Sequence, residues 1–556
     1  MSHYTIGIDY GSLSARAVLV DINDGKELAS AVYEYPHAVM SEYLPDSKVK
    51  LGPDWALQHP EDYLNVLRQT IPSVIEKSNV HSSNIVGIGI DFTSCTIMPV
   101  SREGKVLAQY EKYKTEPHAW VKLWKHHAAQ PEADLINKIG KKYGFLSRYG
   151  GKISSEWMFP KVLQILNEAP HLYHETNSFL EAADWITLQL TGNWIRNNCT
   201  LGFKALWDEQ HGFPEKAFFK ELHPDMENVI EEKFGGEIRK IGESAGPLLQ
   251  EWSEALGLSP NTKVSVGNVD AHVSASSSKV VDEGKMLMIM GTSTCDITLG
   301  SEKKEVEGMC GVVKDGAIPG YYAYESGQNA VGDIFDWFVR TYINQTYEDE
   351  ANLQGISIHE LLEKKASVLK AGESGMVALD WWNGNRSVLV DTNLTGLMLG
   401  MTLATKPEEI YRTLIEATAF GKRRIIDSFA KSGIEIKELY ACGGLPHKNR
   451  LLMQIYADVC QLEIKIASSL QAPALGSAIF AAVAAGYYES LQEASDKMAS
   501  LKEEVFKPIP ENSKIYDQLY AEYIQLHDYF GKGENDVMKR LKKLKLSILD
   551  QQTIHA

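Results

Sequence analysis

The sequence has few cysteines, no long hydrophobic run and fewer basic than acidic side chains. Six cysteines are too sparse to cross-link 556 residues, and no two of them form a CxxC pair. No stretch reaches the roughly 18 uninterrupted apolar residues of a membrane helix, and residues 1–10 lack the pattern of a secretory leader. We therefore expect a cytoplasmic protein with reduced thiols and no membrane partner.

The charge balance also narrows the class of partner. The chain has 73 acidic and 56 basic side chains, a net charge of -17, which would repel nucleic acid. With 44% hydrophobic residues it can bury a large core, and its length favours two or more domains. We expect small-molecule partners and no nucleic acid.

Two segments share one pattern. Residues 4–21 (YTIGIDYGSLSARAVLVD) and residues 284–301 (GKMLMIMGTSTCDITLGS) each predict a strand, a small polar turn with glycine, and a second strand. This repetition indicates two analogous halves, each opening with a β-hairpin.

A second pair of strands supports the duplication. The segments 85–91 (IVGIGID) and 438–444 (ELYACGG) both predict buried strands, and helical patterns alternate with them. The sequence thus predicts mixed α/β domains. We expect an N-terminal domain over 1–280, a C-terminal domain over 281–495 and a helical appendage over 496–556.

Small, glycine-bearing hairpin tips allow backbone N–H groups to approach phosphate oxygens. A single tip of this kind is usually an ordinary turn. Two such tips, one in each half, could hold the β- and γ-phosphates of ATP from both sides, with Asp9 at a strand end holding Mg²⁺. The pattern favours a nucleotide clamp between two domains.

Four motifs make this hypothesis specific. DYGSLSAR (9–16), GNVDAH (267–272), MGTST (290–294) and CGGLPHKN (442–449) resemble, in the same order, the motifs of the FGGY carbohydrate kinases. The resemblance implies an α/β fold with two ribonuclease H-like domains of the actin-like ATPase type. It further implies an interdomain cleft that closes around ATP, bound by the C-terminal domain, and a sugar, bound by the N-terminal domain.

The resemblance also implies residue roles. Asp270 would be the catalytic base and, with Asp9, a ligand of Mg²⁺, although an aspartate there could equally be a helix cap. The residues implied in nucleotide binding are Gly11, Ser12, Gly291, Thr292, Gly396, Gly443, Gly444 and Asn449.

Three further segments, 91–99, 202–207 and 324–329, are similar to the ribulokinase branch of the family. They imply a ketopentose pocket in which Lys204, Glu325 and Asp270 contact hydroxyls and Phe92 forms an apolar wall. The alternatives are a solvated lysine, a glutamate that caps a loop, and an aromatic ring in the core.

The segment WVKLWKHH (120–127) departs from the wider family, because an expected acidic residue after the tryptophan is missing. It leaves open whether Trp124 or His126 contacts the sugar.

The resemblance implies ATP-dependent phosphorylation of ribulose at its terminal hydroxyl, with L-ribulose favoured over D-ribulose because ribulokinases belong to L-arabinose breakdown. Two alternatives stay open: a kinase of the same family for xylulose or glycerol, and a non-metabolic actin-like ATPase. A homodimer is also left open.

Overall fold

The structure, a computed structural model, describes residues 2–45 and 47–554. The strands of the first half are β1 (Tyr4–Tyr10), β2 (Ser14–Asp21), β3 (Glu27–Glu34), β4 (Leu57–Gln58), β5 (Ile85–Phe92), β6 (Ile97–Val100), β7 (Val121–Lys122), β8 (Ser178–Glu181), β9 (Ile195–Asn197), β10 (Glu237–Arg239), β11 (Ser244–Pro247), β12 (Lys263–Ser265) and β13 (Asn268–Val269). Those of the second half are β14 (Lys285–Met290), β15 (Thr294–Gly300), β16 (Gly311–Lys314), β17 (Tyr322–Gln328), β18 (Val377–Leu379), β19 (Leu397–Leu399), β20 (Glu438–Cys442), β21 (Glu463–Ala467) and β22 (Leu501–Phe506).

Helices connect and cover these strands. In the first half they are α1 (Pro60–Ser78), α2 (Gln130–Gly140), α3 (Met158–Glu168), α4 (Pro170–Glu175), α5 (Ala182–Thr191), α6 (Asn198–Lys204), α7 (Lys216–Leu222), α8 (Val229–Lys233), α9 (Gln250–Leu256) and α10 (Asp270–Ser277). In the second half they are α11 (Gly332–Tyr342), α12 (Gln345–Gln354), α13 (Ile358–Ser367), α14 (Pro407–Lys431), α15 (Gly444–Lys448), α16 (Arg450–Cys460), α17 (Ala472–Ala484), α18 (Leu491–Met498), α19 (Pro510–Gly531) and α20 (Val537–Ile554). None of these described helices is both long and apolar enough to span a membrane.

Each half is built on a large mixed sheet, and the two sheets have the same topology. The first has the order β11-β12-β5-β1-β2-β3, with β13 beside β5, and the second has the order β16-β17-β15-β14-β20-β21-β22. In the first, β1, β2 and β3 are antiparallel and β5 and β12 run parallel to β1. In the second, β14, β15 and β17 are antiparallel and β20 and β21 run parallel to β14. This ribonuclease H-like arrangement confirms the predicted duplication.

Both predicted hairpins are present. The first pairs Tyr10 with Ala15 across its end, and the second pairs Met290 with Thr294. The tips therefore project from equivalent corners of the two sheets, at the carboxyl ends of β1 and β14.

Helix α17 joins the halves, because it comes from the second half of the chain and packs on the first sheet. Glycines on β1 and β5 allow its backbone to approach: a Cβ on Gly7 would lie 1.7 Å from the Ala474 carbonyl oxygen, and one on Gly89 would lie 1.9 Å from that of Ser477. Helix α10 also approaches α17, since a Cβ on Gly476 would lie 2.3 Å from the Val273 carbonyl oxygen. The two sheets are thus linked through a tightly packed helix pair.

The segment after residue 495 is helical only in part, which corrects the sequence prediction. Residues 501–506 form β22, which pairs antiparallel with β21 at the edge of the second sheet. Helix α19 follows and packs on the same half against α16 and β18. The expected domain limits stay predictions.

Candidate active site

Three aspartates lie where the central strands of the first sheet end. Asp9 and Asp91 are register partners at the ends of the parallel strands β1 and β5. Asp270 is the first residue of α10 and follows β13, which pairs with the end of β5. The parallel strand ends therefore bring the three carboxyl groups to one corner of the sheet.

Burial raises the pKa of all three carboxyl groups, and the charge of Asp9 raises the pKa of the other two further. Burial, followed by the charge of Asp9, raises the pKa of Asp91 well above its usual range, and Ser477, whose hydroxyl donates to Asp91 at 2.5 Å, opposes this. Burial also raises the pKa of Asp9. Burial and Asp9 together raise the pKa of Asp270 to about 7, against the effect of a 2.7 Å hydrogen bond from the Ala271 N–H. Near neutral pH, Asp270 can accept a proton, and a cation here would relieve the repulsion.

The first tip, residues 11–13, is held in a defined conformation. The Gly11 N–H donates to the Ser14 carbonyl at 3.0 Å. The Ser12 carbonyl accepts a 2.8 Å bond from the Gln58 amide, and the Ser12 hydroxyl accepts a 2.9 Å bond from the Trp124 indole N–H. The segment at Trp124 therefore supports the predicted phosphate-binding tip.

The second tip, residues 291–293, has a similar internal bond, since the Gly291 N–H donates to the Ser293 carbonyl at 3.0 Å. The chain entering α11 supports it: the N–H groups of Val331 and Gly332 donate to the carbonyls of Thr292 and Gly291 at 2.8 and 3.1 Å. Both tips are thus stabilised from outside their hairpins.

The predicted adenosine-binding residues lie beside the second tip. Gly443 has φ +92°, and a Cβ there would lie 2.5 Å from the Met290 carbonyl oxygen at the end of β14, so glycine is required. A Cβ on Gly444 would meet no atom within 4 Å. Asn449 is the N-cap of α16 and accepts a 2.8 Å bond from the Leu452 N–H. Open space beside Gly444 suits a nucleotide, whereas the Asn449 side-chain oxygen has a structural partner.

Packing accounts for two other predicted site residues. A Cβ on Gly396 would lie 2.6 Å from the Trp382 ring, so this glycine is needed for close packing, and its phosphate role stays a prediction. The Phe92 side chain is only 2% exposed, and its ring stacks on Tyr10 at 4.3 Å and meets Tyr63 edge-on at 4.9 Å. The expected Phe92 wall is therefore wrong: the ring belongs to an aromatic core, because two neighbouring rings cover it.

A buried ion pair connects the two halves. The Lys204 ammonium, from α6, donates to both carboxylate oxygens of Glu325, from β17, at 2.9 Å, and the two side chains are 6% and 3% exposed. Burial opposes ionisation of Glu325, but Lys204, Arg386 and His272 outweigh it and lower the pKa of Glu325 to about 2. Lys204 is thus not a solvated surface lysine.

Arg386 and His272 are site residues that the sequence prediction missed. The Arg386 guanidinium hydrogen-bonds to Glu325, and the His272 Nε2 lies 3.6 Å from the same carboxylate. His272 is buried, and neither ring nitrogen has a hydrogen-bond partner among the described residues. His272 lies within the GNVDAH motif, which was a usable signal, whereas nothing local marks Arg386.

Trp124 and His126 lie in different environments. His126 is fully buried, and its ring nitrogens contact Gln164 at 2.9 Å and the Ala56 N–H at 3.3 Å. Trp124 is partly exposed and bonds to the first tip. Of the two candidates, only Trp124 reaches the site.

One group of three potential metal ligands with close spacing occurs in the part of the chain that the structure describes: His37, His59 and Asp62. The two imidazole rings are stacked at 4.1 Å, and His37 Nδ1 bonds to Asp62 at 2.8 Å. Parallel rings do not direct their lone pairs at one ion. The role of Asp9 and Asp270 in holding Mg²⁺ stays a prediction.

Comparisons with known proteins agree with this geometry. Residues 4–276 match the N-terminal domain of the FGGY family of carbohydrate kinases, and residues 286–485 match its C-terminal domain. The chain belongs to the FGGY family of carbohydrate kinases. It is a phosphotransferase with an alcohol group as acceptor.

Relatives and solved structures extend the match over almost the whole chain. The chain is 58% identical over 548 residues to a ribulokinase of Geobacillus thermodenitrificans, covering 98% of this chain and 97% of that protein. It is 46% identical over 555 residues to a ribulokinase of Mycolicibacterium smegmatis, covering 99% and 98%. Gluconate kinase from Lactobacillus acidophilus superposes with a TM-score of 0.80 at 18% identity, covering 96% of this chain and 99% of that one. Plasmodium falciparum glycerol kinase with ADP gives 0.74 at 18% identity, covering 94% and 98%. These structural likenesses support the actin-like ATPase fold.

Proposed function

We propose that the chain transfers the γ-phosphoryl group of ATP to the terminal hydroxyl of ribulose, yielding ribulose 5-phosphate and ADP. The observation that carries this proposal is the buried Lys204–Glu325 pair beside Asp270, in a chain 58% identical to a ribulokinase. L-Ribulose is the acceptor we favour, within L-arabinose breakdown, because of the resemblance to ribulokinases.

In the proposed reaction Asp270 takes the proton from the attacking hydroxyl. Its pKa of about 7 suits a base that works near neutral pH. Lys204, Glu325 and Arg386 offer charged donors and acceptors to the other ketose hydroxyls. A ketose bound beside this ion pair, which joins the two halves, would favour closure of the halves and exclusion of water.

The two tips would hold the phosphates between them, with Gly11 and Ser12 on one side and Gly291 and Thr292 on the other. The N–H groups of Gly11 and Gly291 bond within their tips, so the phosphate donors would be the N–H groups of the residues that follow them. Gly443 and Gly444 would face the adenosine portion. Asp9 and Asp270 fit a bound Mg²⁺, because burial raises the pKa of both carboxyl groups and the charge of Asp9 raises the pKa of Asp270 further, an effect that a cation would offset. Mg²⁺ would offset negative charge on the transferring group.

An ADP-coupled assay with L-ribulose, D-ribulose, D-xylulose, glycerol or no acceptor tests the proposal. We expect the highest kcat/KM with L-ribulose and little ADP without an acceptor. A preference for xylulose or glycerol would assign the chain to another acceptor within the family. Equal ADP formation with and without acceptor would support the actin-like ATPase alternative. The Asp270→Asn variant is the control: it should form no ADP if the activity arises at this site.

A further inference from the structure

Helix α19 lies outside the residues that match the two family domains, yet it makes a regular set of buried polar contacts. Tyr516, Tyr520 and Tyr523 follow one another at four and three residues, so they share one helix face. Each phenol donates to a carboxylate of the second half. The pairs are Tyr516 with Glu416 at 2.9 Å, Tyr520 with Asp427 at 2.5 Å, and Tyr523 with Asp380 at 2.9 Å.

The Tyr523 contact continues towards the active site. Asp380 is buried, and its second carboxylate oxygen accepts a 2.8 Å bond from the Gln328 side-chain amide. The same amide donates to the Thr418 carbonyl at 2.8 Å. A Cβ on Gly421 of α14 would lie 2.5 Å from this Asp380 oxygen and 2.7 Å from the Gln328 nitrogen. A glycine thus leaves the space in which Asp380 and Gln328 meet.

Gln328 lies beside the second tip. It is the last residue of β17 and the register partner of Thr294, the first residue after the tip. Glu325 of the proposed sugar pocket lies three residues earlier on the same strand. The Gln328 side-chain oxygen has no hydrogen-bond partner among the described residues, so its amide nitrogen alone orients the side chain. If Asp380 turned, one of the two bonds that hold Gln328 would be lost.

We propose that Tyr523 is a positioning residue, which through Asp380 and Gln328 holds the end of β17 and thereby the second tip in its phosphate-binding geometry. The proposal rests on the proposed function in so far as the tip binds ATP. Helix α19 then contributes to ATP binding. Removing the Tyr523 phenol takes the hydrogen-bond donor from a buried oxygen of Asp380, and this carboxylate must reorient to find another donor.

Tyr523→Phe and Tyr520→Phe form a matched pair for the test. Each removes one hydroxyl that bonds to a carboxylate, from the same face of the same helix, but only Tyr523 leads to Gln328. We expect Tyr523→Phe to raise the KM for ATP about tenfold, the effect of losing one well-buried hydrogen bond, and to leave the KM for the acceptor unchanged. Tyr520→Phe should change neither constant. Melting temperatures show whether both variants fold and lose similar stability.

Nucleotide affinity without acceptor, measured by calorimetry with ATP and Mg²⁺, is the second measurement. It should weaken about tenfold in Tyr523→Phe and not in Tyr520→Phe, whichever sugar the enzyme uses. If the wild type phosphorylates none of the acceptors, the proposed function fails while this measurement still tests the positioning role. If Tyr523→Phe does not fold, Gln328→Met interrupts the same chain of contacts from the other end. Equal effects of the two tyrosine variants, or no change in ATP affinity in Tyr523→Phe or Gln328→Met, would overturn the proposal.

Discussion

Replacing Asp270 by asparagine should abolish phosphoryl transfer and at the same time stabilise the protein. Burial and the neighbouring charge of Asp9 raise the pKa of Asp270 from 3.8 to about 7, so its ionised form is disfavoured in the folded chain. Asparagine retains an oxygen that can accept the 2.7 Å bond from the Ala271 N–H but has no charge and cannot act as the base.

Proton linkage gives the sign of the stability change. Between pH 3.8 and about 7 the folded protein binds more protons at Asp270 than the unfolded chain does, so stability falls as the pH rises, and the penalty is complete above about pH 7. At 1.36 kcal/mol per pKa unit, a rise from 3.8 to about 7 corresponds to about 4 kcal/mol. Asp270 is partly exposed in the folded chain, so solvent screening reduces this figure. We therefore expect Asp270→Asn to recover about 2 kcal/mol, roughly 2 °C in the melting temperature of a chain of this length, at about pH 8 and almost nothing at about pH 4.

The assay is thermal unfolding of wild type and variant across this pH range without nucleotide or metal, alongside ADP formation with L-ribulose. Wild-type kcat/KM should fall as the pH drops through about 7, because Asp270 becomes protonated. Added Mg²⁺ should stabilise the wild type more than the variant. Asp134→Asn, on the exposed face of α2, is the control and should resemble the wild type in both measurements. A stability difference that does not grow with pH would refute the electrostatic reasoning, and near-normal ADP formation by Asp270→Asn would refute the role as base.

Three other substitutions test the tips and the junction between the halves. Trp124→Phe removes the bond to the Ser12 hydroxyl of the first tip and should raise the KM for ATP about fivefold in the coupled assay. The control is Trp120→Phe, which should leave this KM unchanged because the Trp120 indole N–H bonds to the Lys114 carbonyl. Gly89→Ala places a Cβ 1.9 Å from a main-chain oxygen of α17 and should lower stability by more than about 3 kcal/mol in thermal unfolding, while Gly235→Ala, with open space around it, should have little effect. Gly444→Ala also meets open space, so it should fold normally but weaken ATP binding in calorimetry if a nucleotide lies there.

Much of the phosphate-binding side of the site could be predicted from local sequence. Strand, small polar turn and strand are encoded within fewer than twenty residues, and the strand ends at Asp9 and Asp91 follow from the same patterns. The start of α10 at Asp270 lay in a recognisable motif. For these residues the short-range pattern already indicates where each strand ends. It also indicates the face on which each side chain lies, because successive residues of a strand alternate between its faces.

Only the tertiary structure decided the rest, since it depends on contacts between residues far apart in the chain. Arg386 joins Glu325 from a loop about sixty residues away, and nothing in that loop's composition indicates its partner. Phe92 could have been wall or core from its sequence position, and the rings of Tyr10 and Tyr63 decided that it is core. Residues 501–506 became a strand because the edge of β21 offered unpaired backbone groups, a feature that no local pattern contains.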